Sequence, residues 1–263
     1  AGLLFAVVIL GAMEAGVRLV QTYYLNPFQQ DPLLGYRLKP NFTGRYPWVP
    51  VRTDANGFRV PKEAPAASGR PILFVGDSVT FGFGVLAEDA YPTQFGQLVG
   101  RLGDVRNAAV PGYNLTQATR TIERFVEQHG KPKLIVYGLC LNDISGASAE
   151  ARYEDIDPHA IRTSGLLSSS MLVSVVSRRL ARWRAPTPTG PLDSKQSLLA
   201  DFSASELRTP LATFDRQWSD LEQLQKTLNV PIAVIVLPFR QQIDQHPEWR
   251  APQDYLREKC SAT

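Results

Sequence analysis

Cysteine and histidine are scarce in this chain: 263 residues contain two cysteines and three histidines. Two cysteines cannot supply the disulfide framework that staples small secreted domains. Cys140 lies in an apolar run, where a thiol behaves as a small hydrophobe, and Cys260 is almost terminal. His129, His159 and His246 stand far apart, without the close spacing of metal ligands, so no metal is expected. Charge of one sign is also missing. The net charge of +3 comes with no basic stripe, which argues against nucleic acid as a partner. The densest basic run (Arg178, Arg179, Arg182 and Arg184) falls on one expected helix and reads as a solvated or headgroup-facing face. A phosphate-cradling loop is lacking, because Gly76, Gly82 and Gly84 match neither a dinucleotide fingerprint nor a P-loop. That argues against a third reading, a flavodoxin-like nucleotide or cofactor binder on the same architecture; no organic cofactor is implied, and no internal repeat is present.

What is present is a globular composition, 44% hydrophobic and 20% charged, in a chain long enough for one α/β domain and an appendage. The organising stretch is residues 71–82, PILFVGDSVTFG. Four apolar residues in a row, stopped by Gly76-Asp77-Ser78, predict a strand buried on both faces, as in a parallel sheet. Ser78 falls where that strand ends and a helix can begin. A sharp strand-to-helix turn is a way to expose a hydroxyl nucleophile at the rim of a sheet.

Residues 1–13 carry no charge, yet a bilayer-spanning helix needs about 20 mostly apolar residues. The chain also starts without methionine, so the expectation is the distal part of a transmembrane helix, with further residues upstream. On this reading residues 1–25 form an anchor that meets the lipid bilayer through residues 1–20. Glu14 and Arg18 pair four apart where it leaves the membrane, and Tyr23, Tyr24 and Phe28 lie at interfacial depth. A signal-peptide core and a buried helix are the rivals. Sidedness cannot be read from one flank. Residues 26–70 form a Pro-rich, irregular lead-in, with Asn56-Gly57 turning a small hairpin between 51–53 and 58–60. Residues 71–263 form the main domain.

Within it the pattern predicts an amphipathic helix over 91–102, with Phe95, Leu98 and Leu102 on its apolar face. A strand follows at 105–110. A helix over 115–128 is capped by Asn114 and stopped by Gly130, and a buried strand covers 134–137. Further on come a helix over 164–183, a Pro-rich loop at 185–194, a long helix over 206–228, a buried strand at 231–238 and a helix from Asp254. Such alternation argues for a three-layer α/β sandwich with a mostly parallel central sheet.

Three blocks now stand out: Gly76-Asp77-Ser78, the Pro111-Gly112 turn after the second strand, and Asn142-Asp143 after the third. Together they resemble the SGNH (GDSL-type) esterase and lipase family, a flavodoxin-like fold. The lead-in wording DPLLGYRLKP and NGFR is similar to that of membrane-anchored bacterial members. The resemblance implies an ester or acylated substrate, with Ser78 as nucleophile, and Gly112 N–H, the Asn142 amide and the Ser78 N–H as oxyanion donors. It places the domain in the periplasm, acting on acylated glycans or lipids. Asp77 and Asp143 are read as loop hydrogen-bonding residues. The family's last block, Asp-x-x-His, is not found; Asp244-Gln245-His246 is the nearest imitation, with the wrong spacing. Either the base lies beyond Thr263 or the domain has lost it. In the second case the chain is a catalytically incomplete accessory subunit of a membrane-protein complex.

Overall fold

The structure is a computed structural model that describes residues 2–20, 25–46, 48–63, 65–145, 170–173, 175–176, 207–244 and 250–261. The expected helix over 164–183 lies largely outside these residues. So do the 185–194 loop, Tyr23, Tyr24, His159 and His246.

Helix α1 (Gly2–Val20) is exposed along its apolar length, with Leu4, Phe5, Val8 and Leu10 open to solvent. The Arg18 guanidinium donates to Glu14 at 2.6 Å, so the expected pair forms. No helix among the described residues is long and apolar enough to cross a membrane. Glu14 and Arg18 place charge in the last two turns of α1.

The lead-in is more ordered than its prolines suggest. Strands β1 (Phe28–Asp31) and β2 (Gly35–Leu38) form one antiparallel pair, and β3 (Thr43–Arg45) and β4 (Pro50–Arg52) another. Pro32 and Pro40 sit in turns and Pro50 opens β4, where a missing N–H costs little. The 51–60 hairpin is present as a Thr53–Arg59 bridge around Gly57, whose φ of +86° only glycine adopts readily. Phe28 is not interfacial: it is wholly buried, its ring edge-on to Tyr36 and Tyr46. These strands share a core with Phe81, Val110 and Tyr113 of the main domain.

The central sheet contains β5 (Ile72–Gly76), β6 (Val105–Asn107), β7 (Leu134–Cys140) and β8 (Ile232–Leu237), all parallel, in the order β6-β5-β7-β8. Both faces are covered, so β5 is apolar throughout, but its side chains still alternate. Leu73 and Val75 join Ile135, Tyr137 and Leu139 in the larger core, under α4 (Leu115–His129) and α6 (Arg208–Leu228). Ile72, Phe74 and Val136 face the opposite side, against Tyr91 and Phe95 of α3 (Tyr91–Leu98). Asn114 caps α4 in a reciprocal capping box with Gln117, and the Gly130 N–H closes its other end on Val126.

Two expectations fail on burial. The helix predicted over 91–102 stops at Leu98, which is 85% exposed, because Val99 and Gly100 turn the chain into a short 3-10 segment at Leu102–Asp104. Among the described residues strand β8 is an outermost strand of the sheet, not a buried one: its residues are half-buried or exposed.

Candidate active site

The order β6-β5-β7 means the chain steps to one side of β5 and then to the other. In a sheet of this kind the crevice beyond the carboxyl ends at such a reversal is where ligands bind. Ser78 follows β5 and Asn142 follows β7, so they flank that crevice.

Helix α2 (Ser78–Phe81) begins directly where β5 ends. Asp77 makes the turn possible, because its Oδ1 accepts the Val79 N–H at 2.9 Å and satisfies a helix-end donor with no partner of its own. Two glycines let α2 lie close against the sheet. Gly76 sits at φ +146°, opposite Gly138 on β7. A Cβ on Gly138 would fall 2.0 Å from Thr80 Oγ1 and 2.3 Å from the Tyr91 hydroxyl. The slot they open holds Thr80, whose hydroxyl accepts from Tyr91 at 3.0 Å. Ser78 is thereby left half-buried at the rim, beside a hollow of about 360 Å³ lined by Val79, Gly82, Phe83, Val85 and Tyr91 among others.

Asp77 is the hub of the site. Its Oδ2 accepts from Ser78 Oγ across 3.4 Å, a long and weak bond, and its carboxylate also accepts from the Asn142 side-chain amide. Asn142 opens α5 (Asn142–Ser145), one residue after Leu141 leaves the end of β7. Gly112 reaches the same edge by another route. The Ala108 and Val110 N–H groups donate to Phe74 and Gly76 of β5 at 2.9 and 3.1 Å, so the chain stays paired to the end of that strand. Gly112 then turns away at φ +87° and is exposed. Thus Ser78 and Asn142 meet on one carboxylate, while Gly112 stands on the same edge outside that contact.

Burial raises the Asp77 pKa above the ordinary aspartate value, against the opposing pull of the Val79 N–H, Asn142 and Ser78. Asp143 is held well above that value by burial first and by the Asp77 charge second. Its Oδ2 accepts from the Tyr137 hydroxyl at 2.6 Å and from the Cys140 N–H at 3.3 Å, and Oδ1 has no partner among the described residues. Burial also pushes the Cys140 thiol up to about 12, which makes it an inert core group rather than a nucleophile.

Of the three histidines only His129 is described. It ends α4, packed against the Phe58 and Phe125 rings, roughly 22 Å along the helix axis from Asn114. His246, weighed as the base, lies outside the described residues. Two features escaped sequence reasoning. One is Asp77 as the shared partner of Ser78 and Asn142; adjacency in the Gly-Asp-Ser turn was its only signal. The other is Arg59, buried and aimed at the carbonyls that follow α2, and a lone arginine after a turn signals no burial.

No family model matches the sequence, and no curated protein matches it. Solved structures are similar at a distance. AlinE4, a SGNH-hydrolase family esterase, is 17% identical with a TM-score of 0.32, over 75% of this chain and 96% of that one. A catalytic mutant of Axe2, an acetylxylan esterase from Geobacillus stearothermophilus, is 19% identical with a TM-score of 0.29, over 63% of this chain and 76% of that one. The psychrotrophic esterase EstA from Pseudoalteromonas sp. is 15% identical with a TM-score of 0.29, over 74% of this chain and all of that one. At such distances the site stands on this chain's own residues.

Proposed function

We propose that this chain is an SGNH-type serine hydrolase or acyltransferase acting on an ester or acyl group, with Ser78 as the nucleophile. The observation that carries this reading is the meeting of Ser78 Oγ and the Asn142 amide on the Asp77 carboxylate, at the crevice between β5 and β7. An amide NH₂ has two hydrogens. The bond to Asp77 orients the group at the rim of the crevice, from which an amide hydrogen can donate to an oxyanion. Ser78 Oγ attacks the acyl carbon, the carbonyl electrons move onto oxygen, and the Ser78 N–H, Gly112 N–H and Asn142 amide take up that charge. Such donors act strongly because they are already oriented before charge develops. The serine proton passes to a base and then to the leaving oxygen as the tetrahedral species collapses to an acyl-serine. Water completes a hydrolysis; another hydroxyl completes a transfer.

Membrane anchoring through α1, with the domain on the periplasmic side, belongs to the same reading. The exposed apolar side chains of α1 support it, and so does the start of charge only at Glu14. A second reading uses the same helix face: a non-catalytic accessory subunit of a membrane-protein complex. A fluorophosphonate probe separates the two. Wild-type chain labelled at Ser78, with Ser78→Ala unlabelled and slower on aryl acetates, is the expected result. An unlabelled Ser78, or equal ester turnover by both forms, removes the hydrolase.

A further inference from the structure

Arg59 belongs to the lead-in, yet the residue is only 3% exposed and its guanidinium lies against the main domain. Nη1 donates to the carbonyls of Phe81 and Gly82, both at 2.6 Å, and Nη2 to that of Val85 at 2.7 Å. The guanidinium also stacks 4.4 Å from the centre of the Phe81 ring. Among the described residues no carboxylate touches it; the Glu88 charge acts from farther off, while Glu88 itself accepts the Lys62 N–H. Burying a cation among neutral carbonyls is costly, and a planar fork of donors is the side chain that can meet three at once.

The surroundings are shaped to this one contact. Gly82 sits at φ +86°, and a Cβ there would come within 2.7 Å of Arg59 Nη1. Asn107 Nδ2 supplies a further donor to the Thr80 carbonyl at 3.1 Å, and the Arg59 N–H bonds the Asn107 carbonyl, so β6 and the lead-in grip the same turn. That turn walls the hollow beside Ser78. Val79, Phe83 and Val85 are all between 41% and 47% exposed around it, although large apolar side chains usually turn inward. Asp89 is the charged residue of the lining.

We infer that Arg59 is a positioning residue that holds the turn Phe81 to Val85 in place, and that the apolar hollow so formed takes the hydrocarbon part of the acyl group attacked by Ser78. The inference rests on the hydrolase reading for its reaction but not for its binding. Continuity carries it: Ser78 is itself part of the lining, so an acyl carbon at Ser78 Oγ places its chain against Phe83 and Val85. Arg59 then acts at one remove, through the backbone carbonyls, on the chain lengths the site accepts.

Binding is measured by NMR titration of the full chain carrying Ser78→Ala, with ethyl acetate and ethyl octanoate as probes. Phe83→Ser and Arg59→Lys, each added to that chain, are expected to weaken ethyl octanoate by about fivefold or more, the loss of one or two buried methylenes' worth of contact. Ethyl acetate is expected to bind within about twofold of the parent, since it does not reach the hollow. Ethyl octanoate bound equally by the Phe83→Ser chain overturns the hollow. A weakened Phe83→Ser chain with an unaltered Arg59→Lys chain overturns the role of Arg59. Where Arg59→Lys does not fold by circular dichroism, Arg59→Gln, which keeps two donors, takes its place. Ethyl fluorophosphonate labelling of the wild-type chain is read separately. If Ser78 is unlabelled while Phe83→Ser still loses octanoate, the hydrolase falls and the hollow stands as an apolar-ligand site.

Discussion

The Tyr137 hydroxyl donates to Asp143 Oδ2 at 2.6 Å, and both side chains are buried at the end of the strand that leads to Asn142. The carboxyl is held well above the ordinary aspartate value of 3.8 by burial and by Asp77. The native state therefore keeps the proton of Asp143 at a pH where the unfolded chain has lost it. The stability this contributes is whole below the unfolded pKa and is lost as pH rises through the folded one. Asp143→Asn keeps an oxygen for Tyr137 and the Cys140 N–H while removing the charge. The variant is expected to be more stable than wild type at neutral pH by about 1–3 kcal/mol, with the two converging near about pH 4. Urea unfolding of both chains across that range checks the sign; a variant less stable at neutral pH sinks it.

Asn142 is expected to matter to reactivity far more than to folding. Asn142→Ala removes one donor to Asp77, a loss of about 1 kcal/mol of stability by the usual worth of a hydrogen bond. The same change should slow labelling of Ser78 by about 10²–10³-fold, as loss of one oxyanion donor does. Probe kinetics beside a thermal melt separate the two effects. Labelling within threefold of wild type (about 0.6 kcal/mol) would remove the amide from the oxyanion site.

The strand positions could be read from the sequence because each is an apolar run closed by glycine, proline or asparagine. Ile72 to Val75 and Leu134 to Tyr137 gave strands whose register then places Ser78 and Asn142 beside one crevice. Edge status could not be read the same way. The 231–238 run is as apolar as β5, but apolarity says nothing of whether a second neighbour covers it, and Ile235 is 40% exposed. The lead-in was hidden for a related reason. Its strands are three or four residues long, too short for alternation to show, and its core is completed by Phe81, Val110 and Tyr113 from far along the chain. Arg59 looked like any loop arginine, since nothing local records that three carbonyls from residues 81–85 converge on it.

Gly138 tests the closeness of α2 to the sheet. Any Cβ there meets Thr80 Oγ1 and the Tyr91 hydroxyl well inside contact distance, at 2.0 and 2.3 Å. Neither neighbour can retreat, because Thr80 lies in the turn that Asp77 caps and Tyr91 packs on Phe74. Gly138→Ala is therefore expected to cost about 1–3 kcal/mol, at the upper end of overpacking. It should also slow Ser78 labelling, since α2 must move away from the strand that carries Asn142. A melting temperature within a degree of wild type (roughly 0.5 kcal/mol at this size) would show the packing to be looser than described.

The last prediction concerns how the lead-in fixes Gly112. The Tyr36 hydroxyl donates to the Pro111 carbonyl at 2.7 Å, and the Tyr113 hydroxyl donates back to the Tyr36 carbonyl, so two buried tyrosines clasp the turn from both sides. Their rings also meet edge-on, 5.3 Å apart. Tyr36→Phe keeps the ring and deletes one bond, leaving the Pro111 carbonyl unpaired, for an expected loss of about 1–2 kcal/mol. Because the freed carbonyl belongs to the peptide that carries the Gly112 N–H, that amide should exchange with deuterium faster, while amides in the middle of α4 keep their rates. If the Gly112 N–H serves the oxyanion, Tyr36→Phe must also slow Ser78 labelling, although residue 36 lies in a different layer of the chain. Faster exchange with unchanged labelling would show that the turn is held but that Gly112 is not among the donors.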